Sequence, residues 1–323
     1  MITNGDNIFY SLYSRPHFYD GLKQHLIFME DYVVHVKTNI LDGNIPSMYR
    51  FKLGLGTDMI LHYTYYSLFD PITIIAYILP TTLIEFSYFL MLVLRMYLSG
   101  IFFIVLAKKI GVTSKQSLVA GSIVYVFSSA LLYSAFRHPM FINGFMLFPL
   151  LLFSVEKVII NKTYGLLIFV TFFAIISQFY ISLYLLFGLE IYILYRINPL
   201  LKQNRRIFIK INLLIILGVG MASFVLLPMV FAVLEGSRTT TKGFVFYDLL
   251  DYIQVFSSYL FPLGFKRYNV TIGNSLVLFL SLVFVFSPSS KYRYLKNMVI
   301  TFFILGLLSP FAFLINAFSY VGG

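Results

Sequence analysis

The stretch YGLLIFVTFFAIISQFYISLYLLFGLEIYILY, residues 164–195, decides the fold class, because Glu190 is its only charged residue. Further apolar runs, each close to the roughly 20 residues that span a bilayer, occupy 83–106, 118–136, 207–234, 272–288 and 298–318. A soluble core could bury one such run but not a series, and lipid forces backbone amides to pair within their own segment. The sequence therefore predicts an all-α polytopic membrane protein.

The composition supports this class and limits the chemistry. The mean hydropathy is +0.85, and the absence of cysteine excludes disulfides, thiolate metal sites and cysteine nucleophiles. The net charge of +11 is concentrated in short loops at 108–115, 157–162, 196–210 and 291–296. Basic short loops between apolar spans indicate the cytoplasmic side, so we expect a membrane-lipid environment and no nucleic-acid partner.

The positions of these loops also predict a broken hairpin. The loops before and after 164–195 are both basic, so the segment between them must enter the membrane and return to the same side. Each arm has about 15 residues, roughly 22 Å of helix, against about 30 Å of hydrocarbon. We therefore predict a re-entrant hairpin with its tip near 178–180 and a cavity open to the outside.

The resulting topology divides the chain into two parts. Residues 1–80 form an extracytoplasmic first loop, in which 71–79 is an interfacial segment too short to cross. Residues 81–323 form a transmembrane domain of about eight segments, with an outer loop at about 235–270. All five histidines and ten of the 13 acidic residues fall on the outer side. Titratable chemistry is thus predicted on the extracytoplasmic face of a cell membrane.

The stretch HFYDGLKQHLIFMEDY, residues 17–32, begins an amphipathic helix over about 19–41, which we expect at the membrane interface. At 100° per residue, Asp20, Gln24, Asp31 and His35 share one face. The opposite face carries an apolar stripe, which includes Leu22, Leu26, Met29, Val33 and Val36. The polar face is either a solvated surface or a functional one. The cavity predicted beside it favours function.

Several short motifs give the chain a family resemblance. They are DGLKQH (20–25), FKLGLGTD (51–58), Asp70-Pro71, RHPMFING (137–144), SQFYISLY (177–184), VLLP (225–228) and EGSR (235–238). In this order they resemble the YfhO family of bacterial multi-span membrane proteins, which have a GT-C glycosyltransferase fold. Members of that family begin with an earlier span and continue past Gly323, so we expect this chain to be an N-terminal portion that need not be active alone.

The resemblance implies a reaction as well as a GT-C-like helical bundle. It implies transfer of a sugar from an undecaprenyl-phosphate-linked donor to a cell-envelope polymer, such as lipoteichoic acid, on the outer face of the bacterial plasma membrane. A separate polyprenyl-phosphate glycosyltransferase would make the donor. In GT-C enzymes an acidic residue of the first outer loop serves the reaction, and Asp20 matches it.

The polar stripe supplies the predicted catalytic groups. Asp20 is the expected general base, because the acceptor hydroxyl must lose its proton as it attacks the anomeric carbon. Gln24, one turn later, either binds the sugar and orients Asp20 or is a solvated amide. The sequence assigns no cofactor. Asp20, Asp31 and His35 form a weak candidate site for a divalent metal, and Asp31 with His35 is otherwise a surface pair.

Arginines are the expected ligands of the donor phosphate, because the guanidinium fork matches phosphate oxygens. Arg238 is the strongest candidate through the family motif, followed by Arg137 with His138, which otherwise anchor a helix end at the interface. Arg95 lies in the middle of a span, where an unpaired charge costs at least about 2.5 kcal/mol. It must face a substrate cavity or a buried partner, and Glu85 is not well placed to be that partner.

Two other functions remain open on the sequence. A transporter or flippase of polyprenyl-linked sugars or polymers would also use a broken hairpin and a mid-membrane arginine. A catalytically silent assembly scaffold would leave Asp20 dispensable. Neither the sugar, the acceptor nor the stereochemical outcome follows from the sequence.

Overall fold

The fold is helical. The computed structural model describes residues 21–51, 56–198, 204–235, 249, 252–253 and 275–307. Three of its helices are long and apolar enough to cross a membrane: Thr81–Lys109, Pro139–Asn161 and Phe179–Ile197. A bent pair, Arg205–Met221 with Ser223–Ala232, meets at 76° and adds a fourth crossing if it is one broken span. The prediction of an all-α polytopic membrane protein is confirmed.

The N-terminal region combines one long helix with short elements. A π-helical turn, Gly21–Leu26, continues as α1 (Ile27–Leu41). Two short antiparallel strands, β1 (Tyr49–Arg50) and β2 (Thr57–Asp58), pair next. They are followed by α2 (Met59–Tyr63), by 3₁₀ turns at Thr64–Tyr66 and Pro71–Thr73, and by α3 (Ile74–Ile78).

Within the described ranges, ten further helices follow a 3₁₀ turn at Thr81–Leu83, and Pro139–Phe141 forms another such turn between α6 and α7. The helices are α4 (Ile84–Lys109), α5 (Lys115–Val126), α6 (Ser129–Arg137), α7 (Ile142–Asn161), α8 (Gly165–Ser177), α9 (Phe179–Ile197), α10 (Arg205–Met221), α11 (Ser223–Glu235), α12 (Ser275–Phe286) and α13 (Arg293–Leu307).

One predicted span is two helices. The run 118–136 breaks between α5 and α6 at Ser128, which is extended with φ −63° and ψ 146°. The Ser128 carbonyl accepts a hydrogen bond from Leu132 N at 3.0 Å and so begins α6. The apolar pattern continues across this break, because a change of backbone direction does not require a change of hydropathy.

The predicted hairpin is present, with its tip at Gln178. This residue is extended (φ −163°, ψ 92°) between α8 and α9, whose 13 and 19 residues make unequal arms. The buried Gln178 side chain accepts from Tyr180 N at 3.4 Å and donates to the Tyr65 carbonyl at 2.8 Å. The Ser182 hydroxyl lies 2.7 Å from the carbonyls of both Ala174 and Gln178. Side-chain hydrogen bonds thus satisfy backbone N–H and C=O groups around the break between the two helices.

The main core lies among α4, α7, α8, α9 and α10. Its most deeply buried side chains include Leu151, Val155, Leu167 and Leu189. The backbones of α8 and α10 approach very closely at Gly218, where an added Cβ would lie 2.7 Å from the Ile168 carbonyl oxygen. Small residues allow this kind of close packing between helices in membranes.

The N-terminal helix packs its apolar stripe into the same core. Leu26, Met29 and Val33, which the periodicity assigned to that stripe, are buried there together with Tyr32. Residues of the opposite, polar face also have protein partners: Gln24 donates to the Tyr66 hydroxyl, and Asp31 accepts from Arg50 and Tyr63. Both faces of the amphipathic helix therefore contact other parts of the chain.

Candidate functional site

Two histidines join the N-terminal helix to the end of α6. His25 Nε2 lies 2.8 Å from His138 Nδ1, so the N–H of one ring donates a hydrogen bond to the nitrogen of the other. His25 is 5% exposed. His138 leaves the helix (φ −137°, ψ 77°) because it precedes Pro139, which disfavours helical backbone at the preceding residue. That change of direction ends α6 beside His25.

Tyrosines hold the first turn of the helix around this pair. The Gln24 amide donates to the Tyr66 hydroxyl at 2.6 Å, and the Tyr66 ring lies 5.2 Å from the His25 ring. The Tyr88 hydroxyl, from α4, donates to the Gly21 carbonyl at 2.7 Å. The π-helical turn is thus tied to two other parts of the chain. Turns of this kind are frequent at functional sites.

The hairpin tip reaches the same cluster through aromatic rings. The His138 ring lies 4.9 Å from Phe141, and Phe141 stacks on Tyr180 at 6.1 Å. Tyr65 contacts both Phe141 and Tyr180. Residues of DGLKQH, RHPMFING and SQFYISLY, which are far apart in sequence, therefore meet in space. We call the set His25, Tyr66, His138, Phe141 and Tyr180 the outer cluster, after the side of the membrane on which the sequence predicts it.

Arg95 has a buried acidic partner beside this cluster. Its Nη2 lies 2.7 Å from Asp70 Oδ2, and the Asn143 amide donates to the same oxygen at 2.8 Å. The Arg95 and Asp70 side chains are 3% and 0% exposed. The other Asp70 oxygen accepts from Ile72 N at 3.0 Å and caps the turn begun by Pro71. Arg95 therefore has the buried partner that its position in a span requires, and its assignment as a substrate ligand stays a prediction.

A small cavity lies between the ion pair and the histidines. Its volume is about 20 Å³, and its lining includes His25, Tyr66, Ser67 and Arg95. Within the described part of the chain, the buried Ser67 hydroxyl and Arg95 Nε have no protein hydrogen-bond partner. The space suffices for one water molecule, which needs polar partners of this kind.

The family of the protein follows from comparison. The sequence model of the family described as bacterial membrane protein YfhO matches residues 15–321. The chain belongs to the YfhO family. No curated protein and no solved structure matches it. The motifs that suggested this family are thus part of a match along nearly the whole chain.

In this YfhO-family chain, Asp31 and His35 each contact other protein groups, and their assignment as ligands stays a prediction. Asp31 accepts hydrogen bonds from Arg50 and from the Tyr63 hydroxyl. His35 Nε2 instead lies 3.1 Å from the Ser47 carbonyl. Among the described residues, no group of three or more His, Cys, Asp or Glu could hold a metal.

Three other predicted residues are not placed by the structure. Asp20 and Arg238 lie outside the described residues, as does most of the predicted outer loop. Arg137 ends α6, but its side chain is also outside the described part. Gln24 and His138 are therefore the predicted site residues that the structure brings to the outer cluster.

Two important residues were missed by sequence reasoning. His25 stands in the DGLKQH motif, but its helical angle lies between the two faces, so periodicity gave it no role. His62 lies next to the outer cluster, where its ring contacts Phe28 at 5.1 Å and Tyr63 at 4.8 Å. Burial lowers the pKa of His62, and the charge of Asp31 opposes that shift. A neutral imidazole is thus favoured there.

Proposed function

We propose that this YfhO-family protein is a membrane glycosyltransferase. It would transfer a sugar from an undecaprenyl-phosphate-linked donor to a cell-envelope polymer, such as lipoteichoic acid, on the extracytoplasmic face. A separate enzyme would supply the donor. The family supports a glycosyltransferase-like role, and the helical membrane fold accommodates a lipid-linked substrate.

The observation that carries the proposal is the contact between His25 and His138 at 2.8 Å. It joins the segment that follows Asp20 to the segment that follows Arg137. Asp20, the proposed base, is five residues before His25 in sequence, and Arg137, a proposed phosphate ligand, directly precedes His138. Each is therefore close in sequence to one member of the histidine pair. The predicted outer side of the membrane, where transfer to an envelope polymer would occur, also carries most of the acids.

The proposed reaction needs one base and one cationic site. The acceptor hydroxyl oxygen attacks the anomeric carbon, and its proton passes to the Asp20 carboxylate. The bond between the anomeric carbon and the donor phosphate breaks, and undecaprenyl phosphate leaves with the bonding electrons. Arg238 and Arg137 would bind the phosphate before and after this step. No metal ion is assigned a role.

The test is sugar transfer by membranes that contain the complete protein. Asp20→Asn keeps the shape of the side chain and removes its basicity, so we expect a loss of at least about 100-fold. Asp42→Asn, the same substitution at the exposed end of α1, is the matched control and should retain activity. Full activity in Asp20→Asn, at equal membrane insertion, would refute Asp20 as the base.

A transporter or flippase is the second candidate, favoured by the 76° break between α10 and α11. Broken helices of this kind occur at the substrate sites of transporters. Reconstituted vesicles distinguish the two functions. A flippase moves a fluorescent polyprenyl-linked sugar across the bilayer without releasing undecaprenyl phosphate, whereas a transferase releases it only when acceptor is present.

A further inference from the structure

A large pocket lies at the far end of α9 from the hairpin tip. It is formed between the last turns of α9 and the first turns of α13, and its volume is about 860 Å³. Pockets that hold organic ligands generally measure roughly 300–1,000 Å³. None of the residues predicted to serve sugar transfer lines this pocket, so it is separate from the outer cluster.

The rim of the pocket carries two uncompensated positive charges. Lys291 and Arg293 are both exposed there, and no described carboxylate lies within ion-pair distance of either. Arg196 also lines the pocket, but its charge is balanced by the buried Glu156. Arg196 Nε and Nη2 lie 2.6 and 3.1 Å from the two Glu156 oxygens. The Arg196–Glu156 ion pair therefore forms one wall of the pocket, and Lys291 and Arg293 give its opening a positive charge.

Contacts between the two helices hold the pocket open and line it with apolar groups. The Tyr195 hydroxyl lies 2.7 Å from Thr301 Oγ1, and the Arg196 guanidinium lies over the Tyr294 ring at 5.2 Å. Ile191 and Leu194, five and two residues before Arg196, add apolar lining. A ligand that fills this space needs an anionic head and a hydrocarbon part.

We propose that this pocket binds an anionic phospholipid of the cytoplasmic leaflet. The phosphate would contact Lys291 and Arg293, and an acyl chain would lie along Leu194 and Ile191. The rim belongs to the basic loops that the topology places on the cytoplasmic side, where anionic lipids attract clustered lysine and arginine. A lipid also explains the apolar wall, which a soluble phosphate would leave in contact with water.

The test measures binding of dihexanoyl phosphatidylglycerol to the purified complete protein in a neutral detergent. We expect saturable binding that weakens at least about tenfold in Lys291→Gln/Arg293→Gln, because each surface charge contributes to anionic lipid binding. The matched control is Lys108→Gln/Lys115→Gln, which removes two exposed charges predicted on the same side but outside the pocket. The control should stay within about twofold of the parent.

Competition identifies the source of the phosphate. Dihexanoyl phosphatidylcholine, glycerol 3-phosphate and inorganic phosphate should each fail to displace the probe at equal concentration. Displacement by either phosphate without acyl chains would overturn the lipid assignment, and displacement by phosphatidylcholine would overturn the role of charge. If the double variant does not fold, Arg293→Gln alone should weaken binding about fivefold. Unchanged binding in a folded variant refutes the proposal.

Discussion

The buried pair between Arg95 and Asp70 gives the sharpest test of the fold. Arg95→Met keeps much of the side-chain length and its apolar contacts but removes the guanidinium. Asp70 then retains the Asn143 amide and Ile72 N as donors, at 2.8 and 3.0 Å, and loses its only described counter-ion. Both charged side chains are almost fully buried, so the remaining carboxylate is left uncompensated away from water.

The expected cost is about 3–5 kcal/mol, the range for removing one member of a buried ion pair. It should appear in the free energy of unfolding, measured by denaturant titration of the protein in mixed micelles. Adding Asp70→Asn to Arg95→Met should recover part of the loss, because the uncompensated charge is then gone. This recovery separates the loss of a charge pair from the loss of packing.

Arg50→Met is the matched control, because Arg50 pairs with Asp31 in a more accessible setting. The side chains of that pair are 14% and 36% exposed, and exposed ion pairs contribute about 0–1 kcal/mol. If Arg95→Met lowers the free energy of unfolding by less than about 1 kcal/mol, as the control is expected to do, the buried ion pair is refuted.

Two further predictions concern pH and topology. Because burial lowers the pKa of His62 below its usual 6.5, the unfolded chain binds more protons at acid pH. His62 should therefore contribute stability above about pH 6.5 that is lost as the pH falls through its lower folded value. The difference in the free energy of unfolding between pH 7.5 and pH 5.5 should be smaller in His62→Gln than in the parent protein. An equal difference in the two proteins would contradict this prediction. The chain has no cysteine, so Asn44→Cys should react with an impermeant thiol reagent in intact cells, whereas Lys115→Cys and Ser290→Cys should not. Reaction of Ser290→Cys from outside would refute the assignment of the basic loops to the cytoplasm.

Local patterns predicted the parts of the fold that depend on local physics. The apolar runs indicated membrane helices, and the basic loops on either side of 164–195 required a hairpin whose tip is at Gln178. The spacing of Leu26, Met29 and Val33 identified the buried face of the N-terminal helix. Each of these inferences depends on hydropathy or charge along a short stretch, which a single sequence shows directly.

Long-range pairing could not be predicted in the same way. Asp70 is 25 residues from Arg95, and His25 is 113 residues from His138. Tertiary packing of separate segments brings these groups together, and periodicity does not state which helix faces which. The Asp70-Pro71 pair did indicate a turn in the sequence. Proline and one oxygen of the capping carboxylate fix the backbone there, whichever group binds the second Asp70 oxygen.

The longer arm of the hairpin, α9, extends from the outer cluster to the pocket between α9 and α13. Both arms begin at Gln178, and α9 has six residues more than α8, with 19 residues against 13. At 1.5 Å per residue, α9 therefore extends about 9 Å further along its own axis. Arg196 stands in this extension, about 27 Å of helix from Gln178, which is close to the roughly 30 Å thickness of the hydrocarbon. The single helix α9 thus separates the outer cluster from the pocket between α9 and α13, here called the basic pocket, by nearly one membrane thickness. We infer that this length sets the basic pocket at the level of the lipid headgroups when the hairpin tip is at the outer cluster.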